Sequence, residues 1–284
     1  MIGLITLAMI ASVMSGGLCG AIGFYIQRLE ITTMSFSIAH AALAGASIGL
    51  VMGLDPTYSA MVMAIALSLL LGLIFTRISY GKELVSMAIF SACSAIALFS
   101  IYLSNVKVLA TSSVAVILWG SILAITPQKL VILALATFGF SLYIISYKTQ
   151  IDSMIYDRKI AEAEGIDVQL HTLAVLFFAG IVIALTLKLT GGFLVFALLY
   201  NPVSTSMQLV RKAHLQLVLS SVLGGASALS GIFVSYAFDW PVGATIAIIS
   251  TVMLIISYIV GFLREINKKR CLGKLVSETG DYPA

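Results

Sequence analysis

Charge is what this 284-residue sequence lacks most: 10% of its residues are Asp, Glu, Lys or Arg, against 60% hydrophobic. A soluble domain carries roughly 25% charged residues, so a water-wetted globule is excluded. Cysteine is also scarce. Cys19, Cys93 and Cys271 stand far apart with no Cys-x-x-Cys, which excludes a zinc knuckle or a dithiol pair and leaves packing as the plain role of the two in apolar runs. There is no G-x-x-x-x-G-K-[ST] phosphate loop. The net charge of +4 is spread over loop ends and the C-terminal tail and gives no nucleic-acid footprint.

What is present is a series of long apolar runs. Backbone groups in hydrocarbon need internal partners, which leaves helices or a closed barrel. The runs are apolar all round rather than alternating, so they read as helices, and an isolated signal peptide is a poor reading of the first one. The expected class is an all-α, multi-pass membrane bundle in the inner (cytoplasmic) membrane. Helices are expected at 3–26, 33–54, 57–77, 85–103, 129–147, 172–189, 191–209, 215–236 and 241–263. That makes nine passages, within a range of eight to ten. The piece at 114–125 is too short to span and reads as re-entrant. One permease domain, 1–263, precedes a loosely ordered polar tail, 264–284. Arg264, Lys268, Lys269, Arg270 and Lys274 place that tail in the cytoplasm, with the 148–171 loop on the same side. Arg77 and Lys82 join them only if 114–125 does not cross, which favours an outside N-terminus. The small-residue stretches SGGLCGAIG, AGASIG and LGGASALSG read as close helix packing.

Two features stand apart from this pattern. His40 lies inside an apolar run, where an ionisable group is costly and suggests function, a satisfied packing histidine being the competing reading. The loop QIDSMIYDRKIAEAEGIDVQLH, 150–171, is long for a compact bundle. Within it DRKIAEAEG reads as a short helix, with Asp157 as N-cap, Arg158 and Lys159 near Glu162, and Gly165 as the stop. It could be an amphipathic linker or a docking element for a cytosolic partner.

The pattern Tyr156-Asp157-x-x-x-Ala161-x-x-x-Gly165-Ile166 resembles the coupling loop of the zinc/manganese class of ABC-importer permeases. Three further blocks follow that family's order. SFSIAHAALAGASIGLVMGLDP is similar to its Gly-Asp-x-x-Ser-His-Ala-x-x-Pro-Gly segment, ILWGSILAITPQKL to its aromatic-Gly-Ser-x-Leu-Ala run, and GGFLVFALLYNPVSTSMQLV to its Gly-x-Leu-Leu-Val-x-Ala-Leu-Leu-x-x-Pro stretch. Together they cover nearly the whole chain except the tail.

The resemblance implies a transport subunit rather than an enzyme, with no cofactor of its own. Two copies would pair around a pathway. Cytosolic ABC ATPase subunits would dock on Tyr156, Asp157, Ala161, Gly165 and Ile166. An extracytoplasmic binding protein would deliver a divalent metal ion, zinc or manganese. His40 matches the motif histidine and is the candidate metal ligand, its neutral imidazole suiting a transition metal. Phe36 stands where the family has Asp, and Ala44 replaces its proline. Asn201, Pro202, Ser204 and Thr205, in what reads as a broken helix, are the remaining pathway candidates. Cys19 or Cys93 could offer a thiolate. His171, His214 and Lys188 read as interfacial. The loss of an acid near His40 keeps open a permease for a metal chelate or other small cargo. An ion-driven secondary transporter fits less well, since such proteins carry more intramembrane ionisable residues.

Overall fold

The computed structural model describes residues 2–77, 81–108, 111–121, 126–192 and 195–278. These form twelve α-helices, with no strand among the described residues. They are α1 (Ile2–Arg28), α2 (Thr32–Met52), α3 (Pro56–Arg77), α4 (Lys82–Leu103), α5 (Thr111–Trp119), α6 (Pro127–Ser146), α7 (Lys148–Tyr156), α8 (Arg158–Ala163), α9 (Val168–Thr190), α10 (Val195–Leu209), α11 (Ala213–Phe238) and α12 (Val242–Glu278); a π-helical turn, Ser104–Val108, extends α4.

Eight of these are long and apolar enough to cross a bilayer. The ninth expected passage, α10, has 15 residues and rises about 22 Å at 1.5 Å per residue, too short to count by length alone, yet its segment joins the two ends of the bundle: Gly192 N–H donates to Ile117 O beside the end of α9, and Val210 O accepts from Gln216, which also contacts Arg28. Its expected start at 191 falls in a turn instead, and 193–194 lie outside the described residues. Nor is α10 broken at Pro202: the helix runs through it, although proline has no N–H to give the carbonyl of Leu198. The tail also departs from expectation. Its polar composition does not end the helix at 263, because nothing there stops a helix, and α12 continues to Glu278.

α1, α2 and α9 are the most buried of the spans. α2 is flanked by α3 and α4, and α9 lies against α1, α2 and α3. Small residues set the closest approaches, as their density suggested. A Cβ on Gly16 would lie 2.3 Å from the Gly224 carbonyl oxygen, and one on Gly20 2.2 Å from that of Ser220, so α1 and α11 pack backbone to backbone. α2 meets α3 in the same way at Gly45.

α2 and α4 pack side by side along their lengths. The Ser37 hydroxyl donates to the Ser86 carbonyl, 2.6 Å, near one end, and His40 meets Ser94 further along. α5 has nine residues, about 13 Å, and cannot span. Its end is stitched to the end of α9: Ser121 N–H donates to Lys188 O, 3.1 Å, and Gly192 N–H to Ile117 O, 2.8 Å. Gly120 and Gly191 face each other across this joint at φ 77° and 84°. The 104–126 segment therefore begins and ends at the same end of the bundle, as a non-crossing piece must; residues 122–125 lie outside the described residues. At the opposite end α7 and α8 gather with Arg28 and Lys82. Lys and Arg concentrate there, which makes it the inner end.

Candidate functional site

The site is built outward from His40. It is 6% exposed, on α2. Its Nδ1 lies 3.1 Å from Ser94 Oγ on α4, and the Ser94 hydroxyl donates to Phe90 O at 2.7 Å. With that hydrogen committed, Ser94 Oγ accepts from Nδ1–H. The imidazole is then the tautomer whose lone pair is on Nε2, the neutral form that ligates a metal.

Aromatic rings collar the imidazole. Phe90 meets it edge-on at 4.3 Å between centroids, and Phe196 of α10 stacks on it at 5.5 Å. Phe36, one turn before His40, packs on Phe196 at 4.7 Å and on Tyr200 at 5.1 Å. The Tyr200 hydroxyl is hydrogen-bonded to Ser35. Phe36, Phe90, Phe196 and Tyr200 are all half-buried, so the collar forms a partly open junction of α2, α4 and α10. No group of three or more His, Cys, Asp or Glu among the described residues is placed to hold a metal. Ser94, Phe90, Phe196 and Tyr200 were missed in the sequence. The signal was available in part, since Phe196 and Tyr200 share a helix face at the spacing that Phe36 and His40 show.

The other expected pathway residues do not converge on His40 as a group. Asn201 turns to α12, its Nδ2 donating to Ser250 Oγ at 3.0 Å and Thr251 Oγ1 at 3.1 Å. Pro202 is buried, Ser204 half-buried, and Thr205 is 2% exposed with no hydrogen-bond partner for its hydroxyl. Cys19 sits in the core with its Sγ 3.6 Å from Thr186 Oγ1, a packing position between α1 and α9, and Cys93 is buried on α4.

The 150–171 loop folds largely as its sequence suggests. Asp157 caps α8, accepting from Lys159 N at 2.7 Å and Ile160 N at 3.1 Å. Arg158 pairs with Glu162 at 3.2 Å, and Gly165 turns the chain at φ 82°. The additional helix α7 precedes it. Ala161, however, does not face outward. It is fully buried against Met154 and Val168 and seats α8 on the bundle. The surface offered to solvent is Tyr156, 85% exposed, with Asp157, Lys159 and Ile160 beside it, while Ile166 is half-buried.

At the outer end the α2–α3 turn carries a charge cluster that sequence reading passed over. Asp55 accepts from Thr57 N at 2.7 Å and so caps α3; its carboxylate also lies 3.3 Å from Lys129 of α6 and 3.4 Å from Lys188 of α9. Burial alone would raise its pKa. The Thr57 N–H and the two ammonium groups outweigh that and hold the carboxyl at about 2, below the ordinary 3.8. Lys188 is thus an ion-pair partner rather than a side chain reaching for the interface. At the inner end the Tyr143 hydroxyl of α6 and His171 Nδ1 of α9 lie 2.6 Å apart, so His171 is a tie between spans; His214 is exposed.

The family model for the ABC 3 transport family matches residues 1–261. The chain belongs to the ABC 3 transport family. Among curated relatives, the manganese transport system membrane protein MntC of Listeria monocytogenes is 28% identical over 253 residues, 89% of each chain. The manganese import system permease protein ScaB of Streptococcus gordonii is 25% identical over 265 residues, 93% of each. Among solved structures, PsaBC from Streptococcus pneumoniae in complex with Fab matches with a TM-score of 0.76 and 23% identity over 89% of this chain and 90% of that one, a likeness of fold. An ABC 3 chain is a membrane-spanning permease subunit, and its work is passage rather than catalysis.

Proposed function

We propose that this permease carries a divalent transition-metal ion, manganese or zinc, inward across the cell membrane, working as a pair of copies around a shared pathway. Cytosolic ABC ATPase subunits drive it from the α7–α8 surface, and an extracytoplasmic metal-binding protein feeds it from the outer end. The observation that carries the reading is the buried imidazole of His40, oriented by Ser94 so that Nε2 holds the lone pair. The names of the manganese-transporting relatives agree with it. The half-buried collar of Phe36, Phe90, Phe196 and Tyr200 is a surface that a second copy would cover. In the coupling segment Tyr156, Asp157 and Ile160 are the contacts for the ATPase, with Ala161, Gly165 and Ile166 shaping the segment that presents them.

The test is radioactive manganese and zinc uptake into vesicles that hold the full complex, with His40→Ala and His40→Gln at matched expression. A ligand role predicts loss of uptake in both variants with the complex still assembled. A histidine that only packs and hydrogen-bonds tolerates Gln better than Ala, and parental uptake by both variants would make His40 structural.

One observation favours a second reading. The ring of Phe36, where the resembled motif has a carboxylate, leaves one imidazole amid aromatic faces. Such a lining suits a metal wrapped in an organic ligand better than a bare hard cation. Uptake that appears only when a chelator is supplied with the metal would select this reading.

A further inference from the structure

One side of the bundle is not closed. α6 packs on α1 and α9, α11 packs on α1, and between α6 and α11 runs an apolar groove of about 520 Å³. Gly17 and Ala21 of α1 form its floor, Phe140 and Ile144 of α6 one wall, and Val218 and Val222 of α11 the other. Gly17 is the informative residue. In the same small-residue stretch a Cβ on Gly16 or Gly20 would fall 2.3 or 2.2 Å from a carbonyl oxygen of α11, whereas a Cβ on Gly17 would meet only Ser221 O, at 3.5 Å, an ordinary contact. Close packing accounts for Gly16 and Gly20. It does not account for Gly17, which keeps the floor of the groove low. The hydroxyls in the lining make no call for a polar ligand: Thr137 donates to Leu133 O at 2.8 Å and Ser221 to Leu217 O at 3.0 Å, each within its own helix.

Depth and width identify the occupant. The groove takes in α1 from Val13 to Tyr25, the second half of α6 and the first turns of α11, all toward the inner end. At 1.5 Å per residue it runs about 18 Å along α1, close to the hydrocarbon depth of one leaflet, about 15 Å. Over that length its volume amounts to a cross-section of about 30 Å². A helix about 10–12 Å across does not fit such a slot, which argues against a second copy or an accessory span, while a single hydrocarbon chain does fit.

The inner mouth carries positive charge. Arg28 continues the stripe of Met14 and Ala21 one heptad on, and its half-buried guanidinium is hydrogen-bonded to Gln216, the residue before Leu217 of the groove wall. Lys212, one turn before Gln216, and Lys148, just past the end of α6, are exposed at the same end. Asp152 of α7 stands near Tyr25, and Glu30 lies just beyond Arg28, so the mouth holds acids as well, but Arg28, Lys148, Arg211 and Lys212 outnumber them. Basic pockets between spans on the cytoplasmic side suit anionic lipid head groups.

We infer that the α1–α6–α11 groove holds one acyl chain of an anionic phospholipid of the inner leaflet, with its phosphate at Arg28. The site is independent of the cargo and goes beyond the transport reading. The chain lies enclosed on three sides rather than along a helix face. It fills the space between α11 and α6, the helix that leads through Tyr147 into α7 and α8.

The test uses the assembled complex in detergent, with phosphatidylglycerol and phosphatidylethanolamine as probes and native mass spectrometry as the readout. A phosphatidylglycerol on each copy should survive the detergent exchange that removes the remaining lipid. Gly17→Phe fills the floor and should lose that lipid, whereas Gly17→Ala leaves the groove open and should keep it. Arg28→Gln should weaken the preference for phosphatidylglycerol about fivefold, the contribution of one basic group at an anionic surface. A parental complex stripped of all phospholipid, or a Gly17→Phe complex that retains as much as the parent, overturns the site. Equal retention of the two lipids by the parent overturns the anionic assignment. Should Gly17→Phe fail to assemble, fluorescence decides: in a Trp119→Phe, Trp240→Phe background, Ile145→Trp at the 73% exposed lip should be quenched at a lower mole fraction of brominated phosphatidylglycerol than of brominated phosphatidylethanolamine, and equal quenching overturns the proposal. Disulfide cross-linking of Val218→Cys between copies, in a Cys271→Ser background, would assign the groove to a second copy and overturn it as well.

Discussion

Replacing Asp55 separates two jobs that one carboxylate performs. It caps α3 through the Thr57 N–H, and it pairs with Lys129 and Lys188, tying α6 to α9. Asn is as good a cap as Asp, so Asp55→Asn deletes the ion pairs and keeps the cap, whereas Asp55→Ala deletes both. Exposed pairs contribute about 0.2–1 kcal/mol each. Asp55's side chain is 41% exposed, which calls for the discount, but the lysine side chains are only 14% and 15% exposed and are left sheltered without their counter-charge. The upper half of the range applies, about 1–2 kcal/mol for the two pairs. Loss of the cap adds about 1 kcal/mol in the Ala variant.

The sign of the pH dependence follows from the depressed carboxyl. Its folded value of about 2 lies below the ordinary 3.8, so the contribution is fully present above about 3.8 and disappears as pH falls through about 2. As pH falls from about 4 toward 2 the gap between parental and Asn proteins should therefore narrow. The assay is thermal unfolding in detergent, followed by labelling of the buried Cys19 and Cys93 in a Cys271→Ser background. An Asn variant as stable as the parent would refute the ion-pair argument, and Asn and Ala variants of equal stability would refute the cap.

Two other perturbations follow from the geometry. Ala161→Arg buries a charge where no side chain is exposed, so α7–α8 should unseat and become protease-sensitive; Tyr156→Ala should leave the segment folded yet fail to retain the ATPase on co-purification, and parental retention would remove Tyr156 from the docking surface. Gly191→Ala places a Cβ 2.2 Å from the Leu118 carbonyl oxygen at φ +84°, whereas Gly165→Ala at φ +82° meets nothing within 4 Å. The first should cost about 2 kcal/mol or more and the second about 1–2 kcal/mol from the dihedral alone, and equal unfolding midpoints would show that the α5–α9 joint is not tight.

Much of this protein was legible in one dimension because lipid imposes a one-dimensional rule. A helix must satisfy its own backbone over about twenty apolar residues, so α1, α2, α3, α4, α6, α9 and α11 could be placed within a few residues. The Asp157 cap and the Gly165 turn were equally readable, because capping and left-handed turns are local chemistry. His40 stood out because imidazole is rare in hydrocarbon. Local rules did not reach the rest. Ala161 could be docking surface or core on sequence alone; only the packing of α8 on Met154 and Val168 turned it inward. Asn201 and Tyr200 are neighbours in sequence, yet a helix sends them to α12 and α2 respectively, and only the arrangement of helices says which one reaches the Phe36 ring. The Asp55–Lys129–Lys188 cluster joins three segments more than fifty residues apart, and the groove over Gly17 exists only where α1, α6 and α11 meet. Length and polarity determine which segments enter the membrane; which side chains meet there is decided by tertiary contacts, because each helix face becomes core, lipid surface or pathway only when its neighbour is in place.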